Sequence, residues 1–142
     1  MSEFDKNKRP KVGLGAYILN EKNQVLLTKR FGSHGSGTWC PPGGHLEFGE
    51  SFFDCAKREA KEEVDLDILE IKVVGVTNDI HFDEQKHYVT VHVQTVRWAG
   101  VPKIMEPEKC TAIGWFDLDK LPSPLFLSNH NFFKENPHVL RY

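Results

Sequence analysis

Glu50, Arg58, Glu59, Glu62 and Glu63 stand close together in a chain of 142 residues. Glu59 and Glu63 are four positions apart and Glu59 and Glu62 three, so on a helix they are neighbours on one face. Like charges at that spacing oppose helix formation by roughly 0.2–0.5 kcal/mol per pair. Acidic groups late in a helix also run against its macrodipole. A cluster kept at that cost can hold a hard cation; the alternative is a solvated acidic face offset by Lys57, Arg58 and Lys61. Just upstream, Pro41-Pro42-Gly43-Gly44 supplies two glycines whose bare backbone admits a ligand closely and presents a carbonyl oxygen. Carboxylates with a carbonyl make an all-oxygen donor set. Such a set suits Mg2+ or Mn2+, whereas Zn2+ favours His and Cys.

Residues 44–66 resemble the Nudix box, G-x5-E-x7-R-E-U-x-E-E-x-G-U, where U is a bulky aliphatic. Gly44, Glu50, Arg58, Glu59, Glu62, Glu63 and Leu66 fall in register. Two positions depart from the pattern. Ala60 replaces the first aliphatic, and Asp65 stands where the family has a glycine that eases a left-handed turn after the helix. Aspartate tolerates that conformation better than most residues. The likeness continues through Glu106-Pro107-Glu108-Lys109, Trp115-Phe116-Asp117 and Leu121-Pro122, so it covers about residues 12–122.

The resemblance implies one domain over residues 1–142, with an α/β Nudix fold: a mixed β-sheet in an α/β/α sandwich, the box forming a loop–helix–loop. It implies a Mg2+-dependent hydrolase, with Mn2+ as substitute, that cleaves a phosphoanhydride bond of a nucleotide. The implied metal ligands are Glu59 and Glu63, the Gly43 carbonyl and Glu108, with Glu62 a further ligand or a base. Glu50 and Arg58 are expected to pair and hold loop to helix, completing a catalytic set with Glu62 and Glu63.

Residues 32–50, including Gly-His-Leu-Glu-Phe-Gly-Glu, resemble a MutT-like nucleotide triphosphate diphosphatase, which implies a (d)NTP cut to (d)NMP and pyrophosphate. The candidate substrate contacts are Arg30, Trp39, Gly44 and His45. Trp39, Phe31 or Phe133 can stack on a base, and Lys29 and Arg30 can meet phosphates. Each has an ordinary alternative, core packing for the aromatics and a solvated strand end for the cations. His45, His81 and His87 show no metal-ligand spacing. Two rival readings are a pyrophosphatase of ADP-ribose or another nucleotide sugar, and a nucleotide-binding regulatory module that does not turn over.

These groups need elements to position them. Ser51 is a helix N-cap with Asp54 three residues on, and Phe52, Ala56, Ala60 and Val64 make the expected buried stripe. In residues 11–19, Val12, Leu14, Ala16 and Ile18 alternate with Gly13, Gly15 and Tyr17, a strand with one glycine-thinned face. The polar run 20–24 leads to a strand at 25–30, and the two read as a hairpin. The Gly- and Ser-rich stretch 32–37 is either a loose surface loop or a lip over a cleft. Further strands are expected at 68–77, 87–98 and 112–116, with Val89, Val91 and Val93 on one face. A helix within 124–134 is expected to pack on the sheet.

Composition narrows the partners. The chain is 39% hydrophobic and 27% charged with net charge −2, which argues against a basic surface for nucleic-acid polymers. No apolar run has membrane-spanning length. Cys40, Cys55 and Cys110 show no C-x-x-C pairing and read as reduced thiols. Residues 1–11 are polar and lack the apolar core of a secretory signal. The expectation is a cytoplasmic protein with a flexible first ten residues, compatible with a homodimer.

Overall fold

The computed structural model describes residues 7–32 and 34–142. Most of the expected flexible lead-in, residues 1–6, lies outside the described residues. In chain order the elements are β1 (Lys11–Ile18), β2 (Gln24–Arg30), β3 (Trp39–Cys40), β4 (Gly43–His45) and α1 (Phe52–Val64). Then come β5 (Asp67–Ile68), β6 (Lys72–His81), β7 (Lys86–Thr95), β8 (Trp98–Ala99), β9 (Cys110–Asp117) and α2 (Leu127–Glu135). One sheet runs β4-β1-β7-β6 and is mixed, since β1 lies parallel to β7 but antiparallel to β4. A second runs β3-β2-β9, and β5 pairs with β8. No helix among the described residues is long and apolar enough to cross a membrane.

β1 and β2 are buried on both faces over most of their length because a helix covers each side. Leu14, Ala16, Ile18 and Leu26 pack with Cys55, Ala56, Ala60 and Val64 of α1. Tyr17, Leu19, Val25 and Leu27 pack on the other side with Phe132 of α2. β1 and β2 do not form the expected hairpin. The turn exists, with the Asn20 N–H donating to the Gln24 carbonyl and a single bridge between Leu19 and Val25. Both edges of β1 are already occupied by β4 and β7, so β2 turns away and pairs with β3 and β9.

Other boundaries also differ from expectation. Ser51 does cap α1, its hydroxyl accepting from the Asp54 N–H at 3.0 Å. Phe52, however, is 39% exposed, and Cys55 takes its place in the buried stripe. A residue in the first helical turn has no preceding turn to fold back upon, so Phe52 points past the core. β6 starts four residues later than the apolar run beginning at Ile68, because its limits follow pairing with β7 from Lys72–Gln94 to His81–Lys86. Asp65 adopts the left-handed conformation at φ 59°, ψ 38° where the family pattern has glycine, held by Lys61 at 3.1 Å and Lys103 at 3.7 Å.

A buried polar relay joins the sheet to α2. Asn129 Nδ2 donates to the Tyr17 hydroxyl at 2.9 Å, and that hydroxyl lies 3.1 Å from His92 Nδ1. His92 Nε2 meets Thr77 Oγ1 at 2.8 Å, and Thr77 donates its proton to Asp79 at 2.9 Å. Thr90 and Asn131 also donate to Asp79, at 2.6 and 2.9 Å. With the Thr77 proton committed to Asp79, His92 carries its ring proton on Nε2 and accepts from Tyr17 at Nδ1. Burial drives the His92 pKa down to about 4, keeping the ring neutral. Replacing Tyr17 by Phe strands both His92 and Asn129. The expected cost is about 1–3 kcal/mol in urea denaturation, and an unchanged midpoint would contradict the relay.

Candidate active site

The strand register builds the floor. Gly13, Leu14 and Gly15 of β1 face His45, Gly44 and Gly43 of β4. A Cβ on Gly43 would collide with the Leu14 carbonyl oxygen, and one on Gly44 would lie 2.5 Å from the Glu59 carboxylate. The glycine pair thus lets β4 slide between β1 and the acidic face of α1. The Gly43 N–H donates to Glu63 Oε2 at 2.8 Å.

Arg58 locks the loop preceding α1 onto the helix. Its Nε and Nη2 reach the two Glu50 oxygens at 2.8 and 3.0 Å, a forked pair. Nη2 also donates to the His45 carbonyl at 3.1 Å, and Nη1 to Glu59 Oε1 at 2.7 Å. The guanidinium, helped by the Glu47 N–H, holds the Glu50 carboxyl down at about 2. Glu50 in turn, with Glu59, raises the pKa of Arg58. Lys61 offers no relief to the cluster, because it turns to Asp65 and Asp67 at 3.1 and 3.6 Å.

The remaining carboxylates are crowded. Burial pushes Glu63 up from its ordinary 4.5 to about 8, and the charges of Glu59 and Glu106 add to the rise against the opposing Gly43 N–H. Burial also raises Glu59, despite Arg58 beside it. Glu62 is 54% exposed, 3.8 Å from Arg58 Nη1. Glu108, expected as a ligand, is exposed, and the loop carboxylate whose charge acts on Glu59 and Glu63 is Glu106 instead. Glu106 follows Met105, whose N–H donates to the Glu63 carbonyl, so the backbone ties that position to the end of α1. A carboxylate held at about 8 by burial, with the charges of Glu59 and Glu106 adding to the rise, is a site short of positive charge. An all-oxygen donor set of this kind fits a hard divalent cation.

A cleft opens from Glu63 and Gly44 along β1. Arg30 and His45 line it, as do Cys40, Asp79, Tyr88, Phe126 and Asn129. Arg30 lies over the Phe126 ring at 4.3 Å, and His45 stacks on Tyr88 with centroids 5.4 Å apart. Trp39, expected to contact substrate, faces away. Side chains alternate along β3, so Cys40 lines the cleft while Trp39 packs edge-on to Phe116 at 5.0 Å. The other aromatics proposed for stacking also lie off the cleft: Phe133 packs on Tyr17 in the core, and Phe31 is exposed. Tyr88, Asn129 and Phe126 join the cleft although no sequence motif includes them. Tyr88, Thr90 and His92 alternate with Val89, Val91 and Val93, so period two alone marked them as one polar face.

Two outcomes are expected from this geometry. Arg58→Lys keeps the charge but cannot fork across Glu50 and Glu59, so Mn2+ affinity measured by titration calorimetry should fall about 10–100-fold with the circular dichroism spectrum intact. The second concerns pH. Because Glu63 ionises less readily in the folded chain than in the unfolded one, stability without bound cation falls as pH rises from about 4.5 toward about 8. A cation must displace that proton. Mn2+ affinity measured by titration calorimetry should therefore climb with pH, level off above about 8, and lose that slope in Glu63→Gln.

The sequence matches the NUDIX domain family over residues 9–136. An RNA pyrophosphohydrolase of Ruthia magnifica subsp. Calyptogena magnifica is 37% identical over 130 residues, 91% of this chain and 62% of that protein. An m7GpppN-mRNA hydrolase of Xenopus laevis is 37% identical over 62 residues, 42% of this chain and 21% of that protein. The chain therefore spans less than two thirds of the length of these curated relatives. The crystal structure of a MutT NUDIX hydrolase from Burkholderia pseudomallei superposes with a TM-score of 0.85 at 29% identity, covering 91% of this chain and 99% of that one. The NUDIX domain of Shewanella oneidensis NrtR, complexed with ADP ribose, shares the fold at a TM-score of 0.72 and 18% identity, covering 95% and 92%. With the box residues gathered on one loop and helix inside a mixed-sheet α/β fold, and a family match across nearly the whole sequence, this chain belongs to the NUDIX family.

Proposed function

We propose that the protein is a divalent-cation-dependent hydrolase that cleaves a (d)NTP to a nucleoside monophosphate and pyrophosphate. The observation that carries this reading is the continuity of one cleft from the carboxylate cluster to a wall of rings and amides. Members of the family use a divalent cation. Glu59, Glu63, Glu106 and the Gly43 carbonyl would hold Mg2+ here, supplying positive charge that neutralises the phosphates and polarises a phosphoryl oxygen.

The chain's own groups do the rest. Arg58 and Glu50 keep Glu59 in place, and Gly44 leaves room for it. Glu62, exposed and only loosely held by Arg58, is the carboxylate best placed to take the proton from an attacking water. Arg30, anchored through Nε to the His34 carbonyl at 3.0 Å, brings a cation to the phosphate chain. His45 stacked on Tyr88 gives a flat surface for a base. Asn129 Oδ1 is buried among the cleft-lining residues without a hydrogen-bond partner among the described residues, and can accept from a base amine or imide.

The likeness to an RNA pyrophosphohydrolase favours one second reading, the same bond cut at a 5′-triphosphorylated RNA end. A Mg2+-dependent assay with product identification separates these. A (d)NTP should give (d)NMP and pyrophosphate, with Glu62→Gln slower by on the order of 10²–10⁴-fold. Faster turnover of triphosphorylated RNA would install the second reading. Preferred cleavage of ADP-ribose to AMP and ribose 5-phosphate would make the protein a nucleotide-sugar pyrophosphatase. Nucleotide binding with no turnover in wild type or Glu63→Gln would replace the enzyme by a regulatory module.

A further inference from the structure

His34 and His81 line the cleft and meet Glu84 beside it, forming a second polar group that contains no Nudix-box residue. His34 comes from the segment between β2 and β3, His81 ends β6, and Glu84 lies in the turn before β7. His34 Nδ1 is 2.9 and 3.0 Å from the two Glu84 oxygens, and His81 Nδ1 is 3.9 Å from Glu84 Oε1. One donor atom from each residue lies within 4.8 Å of the others. A tetrahedral zinc with bonds of roughly 2.0–2.2 Å needs donors about 3.4 Å apart, so the separations of 2.9, 3.0 and 3.9 Å bracket the requirement.

The rings are already held. His34 and His81 meet edge-on at 4.7 Å, and Phe126 packs on them at 5.2 and 5.6 Å. Lys86 Nζ sits 3.7 Å from Glu84 Oε2, leaving Oε1 turned toward the histidines. His34 Nε2 is shielded from solvent and has no hydrogen-bond partner among the described residues. Two imidazoles and one carboxylate also differ in kind from the all-oxygen cluster, and select a borderline transition metal over Mg2+.

We propose that His34, His81 and Glu84 form a transition-metal site, with Zn2+ as its occupant, separate from the carboxylate cluster. Three protein ligands leave a fourth position for water. Occupation ties the segment between β2 and β3 to the β6–β7 turn. Because Arg30 Nε donates to the His34 carbonyl, the metal also restrains that arginine. The histidines are forty-seven positions apart, which is why no spacing rule exposed them. The inference does not depend on which nucleotide is cleaved, nor on whether any is.

The test uses the full chain stripped of metal, with Mg2+ in excess to fill the carboxylate cluster, and Zn2+ titrated against a chromophoric chelator. One equivalent should bind, with affinity weakened at least about tenfold in Glu84→Gln and in His81→Gln and retained in Glu59→Gln. Glu84 lies in a partly exposed turn, so its variant should fold. Co2+ should give the absorption bands of a nitrogen-ligated tetrahedral site in wild type and not in Glu84→Gln. No uptake under excess Mg2+ overturns the proposal, as does binding lost in Glu59→Gln but kept in Glu84→Gln.

Discussion

The forked contact of Arg58 with Glu50, extended by its third bond to Glu59, is the interaction on which the site depends. It joins a loop to a helix through a rigid guanidinium plane, and a side chain of the same charge without that plane could not make all the bonds at once. The loop would otherwise have little to fix it. Gly49 has a positive φ of 82° and Phe48 is fully exposed, so the segment gains its shape from polar anchors rather than from burial. Once Arg58 is committed, Glu59 has one oxygen fixed and a face turned to the glycine pair of β4.

That arrangement stores an electrostatic tension. Glu59 and Glu63 are both harder to ionise than free carboxylates because burial and mutual repulsion outweigh Arg58 and the Gly43 N–H. Such a cluster favours whatever brings positive charge to it, which gives the acidic face a purpose that helix energetics alone would not supply. The rest of the cleft is built on a different principle. His92, Tyr17 and Asn129 are neutral groups whose hydrogen bonds close on one another and hold α2 against β1 and β7. The carboxylate cluster thus lies at one end, while Arg30, Asp79, neutral polar groups and rings line the wall. Gly13 and Gly15 of β1 lie between them and put no side chain into the cleft.

The helix and its cap were legible in the sequence because they obey local rules. Ser51 needs only its own backbone neighbours to cap, and the spacing of Glu59, Glu62 and Glu63 is set by helical geometry whatever lies around it. The strands were legible as strands for the same reason. Their partners were not, since pairing depends on which edges remain free. The hairpin expected between β1 and β2 gave way to two sheets on that ground, and Trp39 left the cleft because alternation along β3 assigned the inner face to Cys40.

What the sequence determined by itself was the carboxylate cluster, its arginine and the glycines before it. These lie within about twenty residues and are related by local backbone geometry. The tertiary structure decided which distant groups complete the site. Glu106 rather than Glu108 adds its charge to the cluster, because the backbone after β8 is bonded to the end of α1. Tyr88, Phe126, Asn129, His34 and His81 meet the cleft from segments far apart in the chain, and Glu84 joins the two histidines from the β6–β7 turn. Contacts of that kind follow from how sheets and helices pack, which no fixed spacing along a chain can record.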